Sequence, residues 1–75
     1  MPSRADYEKQ LAQAERHLED GRRHIEDQRA VIRQREADGH DTTESKELLS
    51  ELLDAQDLHE MNRQRVLREL GQRRE

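Results

Sequence analysis

One seam runs unbroken through the first half of this 75-residue chain. Tyr7, Leu11, Ala14, Leu18, Gly21, Ile25, Gln28 and Ile32 follow one another at alternating steps of four and three. That rhythm keeps one line of an α-helix turned toward a partner helix. A chain patterned this way is constrained to pack helices side by side. The rhythm also settles a question that composition raises. Charged residues make up 43% of the chain and apolar residues only 29%, with Tyr7 the single aromatic. Scattered, so few apolar residues would leave the chain disordered. Gathered into a seam, they give the composition of a coiled coil.

The rhythm breaks once, at Asp38-Gly39-His40-Asp41-Thr42-Thr43-Glu44. Gly39 suits the position just past a helix end, where the backbone turns left-handed and a Cβ would be strained. Asp41 with Glu44 three residues on has capping-box spacing for a second helix. Ser3 is the expected N-cap of the first. The expected fold class is therefore all-α: two long helices in an antiparallel coiled-coil hairpin, within one domain covering residues 1–75. The first helix is expected over about residues 4–38, the turn over 39–41 and the second helix over about 42–73. So short a connection favours antiparallel neighbours.

Charge favours the same arrangement. Residues 41–60 hold seven acids and one base, Lys46, whereas residues 61–75 hold five arginines and two acids. A hairpin lays the acidic stretch beside Arg22, Arg23, Arg29, Arg33 and Arg35. It lays the basic stretch beside Asp6, Glu8, Glu15, Glu19 and Asp20. Exposed pairs of this kind choose an orientation more than they add stability.

In the second helix the expected seam is Leu48, Leu52, Ala55, His59, Asn62, Val66 and Leu70, with Leu49, Leu53, Leu58 and Leu67 on its flanks. An apolar face that wide exceeds what one partner helix covers. A lone two-helix hairpin of this size also buries little, and small folds compensate with disulfides, metals or oligomerisation. The chain has no cysteine. The expected answer is a homodimer forming a four-helix bundle. Its interface residues would be Leu11, Leu18, Ile25, Ile32, Leu48, Leu49, Leu52, Leu53, His59, Val66 and Leu70. The remaining leucines or the charged faces could dock another protein.

Few residues offer chemistry. His17 and His24 share one flank but stand two helical turns apart, about 10 Å along the axis, too far to share one ion easily. His59 is expected to face the space that Gly21 leaves. No metal or cofactor site is expected. Gln28, His59 and Asn62 read as polar seam residues that fix register, as single polar seam residues can. A histidine among them would also make assembly pH-sensitive. Ser3, Ser45 and Ser50 stand beside no base motif, and there is no glycine-rich phosphate loop. No catalytic residue is expected, and the chain does not read as an enzyme. Arg63, Arg65, Arg68, Arg73 and Arg74 are candidate nucleic-acid contacts, and a Rop-like RNA-binding hairpin dimer is the alternative reading. Against it stand the formal charge of −4 and the lack of stacking aromatics. No apolar run approaches the ~18 residues that span a membrane. The N-terminus lacks the apolar core of a signal peptide. The expected setting is cytoplasmic.

The turn heptapeptide, leading into Leu48, Leu49, Leu52, His59, Arg63 and Leu67, resembles short bacterial helical-hairpin proteins with a Gly-His/Arg-Asp-Thr turn. That group has no known activity. The resemblance implies a stand-alone helical hairpin and a complete chain, and it carries no functional residue over.

Overall fold

The computed structural model describes residues 2–72. Helix α1 spans Arg4–Ala37 and helix α2 spans Thr43–Gln72. The expected end of the second helix at residue 73 lies outside the described residues. Contacts between the helices pair Gln28 with Ser45, Leu18 with Gln56 and Glu15 with Arg63. Partners climb along one helix as they descend along the other, so the two run antiparallel. The hairpin measures 59 × 15 × 14 Å.

Local chemistry starts and stops both helices. At the head of α1 the Asp6 amide donates to Ser3 Oγ at 3.2 Å, and the Ser3 amide donates to Asp6 Oδ2 at 3.0 Å. This reciprocal box satisfies two amides that the helix itself cannot. At its foot Gly39 adopts φ +75°. The Gly39 amide donates to the Glu36 carbonyl at 3.1 Å and the His40 amide to the Arg35 carbonyl at 2.9 Å. These two bonds make a Schellman motif, in which a left-handed residue lets the chain double back over the last helical turn.

The start of α2 differs from its expectation. Asp41 does not form a box with Glu44. Its Oδ1 instead accepts from the Thr43 amide at 3.0 Å and from the Thr43 hydroxyl at 2.8 Å. Thr42 is buried, and its carbonyl accepts the first intrahelical bond from the Lys46 amide at 2.9 Å. The helix therefore begins one residue later than a box from Asp41 would place it. Aspartate favours this two-residue reach because its short side chain mimics a turn of backbone.

The Thr43 hydroxyl, and then the Thr43 amide, hold the Asp41 carboxyl below the usual aspartate range. The charged form is thus favoured in the folded state. Its contribution to stability is present above the ordinary aspartate pKa and is lost as pH falls through the lowered folded value. A carbon-detected titration of the Asp41 carboxyl should show the low value, and Thr43→Val should move it upward. An Asp41 titration unchanged by that substitution would contradict the bonding described.

The seam of α1 is the expected one. Ala14 and Ile32 are buried, while Tyr7, Leu11, Leu18, Gly21, Ile25 and Gln28 are half-buried. The seam of α2 is not. Leu48 and Asn62 are exposed, and the residues turned inward are Ser45, Leu49, Leu52, Gln56, His59, Arg63, Val66 and Leu70. Those positions keep strict four-three alternation from end to end. The expected seam required two consecutive steps of four, from Asn62 through Val66 to Leu70. Ala55 lies half-buried beside the observed line.

Candidate functional site

Two glutamines cross the seam in opposite directions. Gln28 on α1 donates through Nε2 to the Ser45 carbonyl of α2 at 2.9 Å. Gln56 on α2 donates through Nε2 to the Leu18 carbonyl of α1 at 2.8 Å. A helix slipped by one residue would lose both bonds, so the pair fixes the register. Gly21 makes the second clasp possible. A Cβ on Gly21 would lie 2.0 Å from Gln56 Oε1 and 2.9 Å from its Cδ. The space left by Gly21 is therefore filled by Gln56, and His59 lines the same cleft beside it. Asn62 has no register role across the seam, because its Oδ1 accepts from Arg65 one turn on within α2 at 2.8 Å.

The Gln56 clasp has a cost. Its Oε1 is buried and has no hydrogen-bond partner among the described residues. An unsatisfied buried acceptor destabilises by roughly 1–3 kcal/mol, against about 1 kcal/mol gained from an ordinary hydrogen bond. Gln56→Leu keeps a side chain of similar reach and removes the orphan. It should raise stability by about 1 kcal/mol, read as a higher denaturant midpoint at unchanged slope. A lower midpoint would mean that the bond to Leu18 outweighs the orphaned oxygen.

The hairpin has two unlike flanks. On one, the positions beside the seam are Glu8, Glu15, Arg22 and Arg29 of α1 with Lys46, Leu53, Glu60 and Leu67 of α2, of which six are charged. Two ion pairs between the helices lie here, Glu15 to Arg63 at 3.6 Å and Glu36 to Lys46 at 3.5 Å. Arg63 also donates to Glu60 at 3.2 Å. Only the first of the two pairs follows the expected match of acidic to basic stretches. Others join residues within α1: Arg4 with Glu8 at 3.1 Å, and Glu19 with both Arg22 and Arg23. The Arg22 guanidinium holds the Glu19 carboxyl below the ordinary glutamate range, and Glu19 in turn raises Arg22. Both members of that pair face solvent, so it contributes little to the fold.

The opposite flank presents Gln10, His17, His24 and Val31 of α1 with Leu48, Ala55, Asn62 and Glu69 of α2. Among these eight positions Glu69 carries the one permanent charge. Midway along it an open cleft is lined by His17, Asp20, His24, Ala55 and His59 over a floor of Gly21 and Gln56. The rings of His17 and His59 approach to 5.4 Å between centroids, tilted by 47°. Among the described residues no group of three histidine, cysteine, aspartate or glutamate side chains is placed to hold a metal ion.

The candidate interface residues separate on this frame. Ile32 and Val66 are buried between the helices. Leu11, Leu18, Ile25, Leu49, Leu52, His59 and Leu70 are half-buried along the seam. Leu48 and Leu53 take no part in the seam and are 45% and 38% exposed. The surplus leucines do not widen one face: Leu48 lies on the low-charge flank and Leu53 on the charged one. Leu58 and Met61, each 65% exposed, lie on the outer surface of α2. Of the candidate nucleic-acid contacts, Arg63 is engaged by Glu15 and Glu60, and Arg65 by Asn62. Arg68 is exposed, and Arg73 and Arg74 lie outside the described residues. No helix among the described residues is long and apolar enough to cross a membrane.

Sequence reasoning missed Gln56 and Arg63 as seam residues. The signal was the strict alternation itself, which passes through both. No family model matches the chain, and neither the curated proteins nor the solved structures contain a match.

Proposed function

We propose that this protein is a non-enzymatic assembly module, a helical hairpin that pairs with a second copy to form a four-helix bundle. One observation carries the reading. Among the described residues the two helices bury three apolar side chains between them, Ala14, Ile32 and Val66. It leaves five large ones exposed: Val31, Leu48, Leu53, Leu58 and Met61. A domain of this size with so small a core relies on a further source of stability, and oligomerisation is a source open to a chain without cysteine. The bundle's charged outer surface would then be what other proteins meet.

The test is solution mass by light scattering on a sizing column over a hundredfold concentration range. A mass twice the 9.0 kDa of one chain is expected. A folded species of 9.0 kDa at high micromolar concentration would overturn the reading.

A further inference from the structure

We infer that the low-charge flank, carrying Val31, Leu48, Ala55 and the His17–His59 pair, is the surface that receives the second copy. This rests on the assembly reading above and adds to it which side of the hairpin is used and which is left free.

Charge and area argue together. The other flank already pairs charges across the hairpin, Glu15 with Arg63 and Glu36 with Lys46. Covering it would strip water from those groups without supplying new partners, which is costly. The low-charge flank carries less of this penalty along its length from Val31 to Gln10, because its positions beside the seam there are apolar, amide or imidazole groups and Asp20 is the one carboxylate lining the cleft between them. The whole side of the hairpin is a face of 59 by 15 Å, about 890 Å². A stable specific interface needs roughly 800 Å² from each partner. An occupant lying along the hairpin reaches that area, and it must itself be poor in charge. A second copy meets both conditions, being the same length and offering the same flank. Self-complementarity of one patch is what a two-fold dimer requires.

Matched leucines provide the experiment. Leu48 and Leu53 are both on α2, and they are 45% and 38% exposed, but they lie on opposite flanks. Leu48→Glu and Val31→Glu should raise the dimer dissociation constant at least about a hundredfold, since each places two unpaired charges in the covered surface. Leu53→Glu should leave it within a few-fold. Circular dichroism on the same samples reports whether the helices persist. Should the glutamate variants unfold, the thiols of the Leu48→Cys and Leu53→Cys variants give a second readout. In the dimer the first should react with a maleimide at least tenfold more slowly than the second, and dilution to monomer should equalise them.

Loss of dimer in Leu53→Glu alone, or equal thiol rates in the dimer, would overturn the assignment of the flank while leaving the dimer itself standing. A wild-type chain that is monomeric throughout would instead sink the assembly reading on which the inference rests.

Discussion

Val66→Asp should destabilise the hairpin by about 4 kcal/mol, the largest effect expected of any single substitution here. Val66 is, among the described residues, the one large side chain with no exposure at all. Aspartate is of similar size, so the loss comes from its chemistry and not from a cavity. Its carboxylate would be taken out of water at a place where the seam offers apolar neighbours, and an uncompensated buried charge costs several kcal/mol. Relief is available only by fraying the last turns of α2 away from α1, which exposes Leu70 and Leu67 in turn. For a domain of this size each kcal/mol lowers the thermal midpoint by roughly 4–8 °C. A fall of about 20 °C or more in the melting followed by circular dichroism is therefore expected. A shift of only a few degrees would mean that Val66 is not enclosed by the two helices.

Gly39→Val comes second, at about 2 kcal/mol. Gly39 holds φ +75°, where a Cβ costs roughly 1–2 kcal/mol and a β-branched side chain fits worst. A Cβ built at Gly39 meets nothing within 4 Å. The penalty is thus purely one of backbone conformation. That makes a sharp internal control, because asparagine tolerates the left-handed region far better than valine. Gly39→Asn should cost less than half as much as Gly39→Val in denaturant unfolding. Equal costs would show that something other than φ makes glycine necessary. The two bonds that close the turn, from the Gly39 and His40 amides, depend on this one dihedral angle, so the valine variant should also speed opening of the hairpin at its closed end.

The fold was legible because separate local signals agreed. The α1 seam repeats large residues every seven positions, at Leu11, Leu18, Ile25 and Ile32, and no competing phase fits. Ser3, Gly39 and the short connection then placed the breaks by backbone chemistry that does not depend on tertiary context. The phase of α2 was harder. Its true seam passes through Ser45, Gln56, His59 and Arg63, so half of its eight positions are polar or charged. Leucines occur at 48, 49, 52 and 53, and any apolar count is satisfied by more than one line through them. What selects the line is specific: Gly21 opens a space that a glutamine fills, and Arg63 reaches Glu15 across the charged flank. Neither follows from hydrophobicity.

The same distinction applies to the surface. From the sequence, the extra leucines of α2 looked like one broad face. Their exposures and flank positions show them divided among three directions, with Leu48 to one side, Leu53 to the other and Leu58 outward. The contrast in charge between the flanks could be seen only after the phase of α2 was known, because a shift of one residue exchanges Leu48 with Leu49 and Asn62 with Arg63. The histidine pair was half legible. The spacing of His17 and His24 marked them as flank residues, but the 5.4 Å approach of His17 to His59 is set by the register of the two helices.

Small-angle X-ray scattering of the wild-type chain at neutral pH tests the central claim most directly, because it reads mass and length from one sample. A side-by-side pair of hairpins predicts a mass twice 9.0 kDa, a longest dimension still near 59 Å and a radius of gyration slightly above the 17.1 Å of one hairpin. Contradiction would take either of two forms: a particle of 9.0 kDa with the 17.1 Å radius unchanged, or a dimer much longer than 59 Å, in which the copies meet end to end.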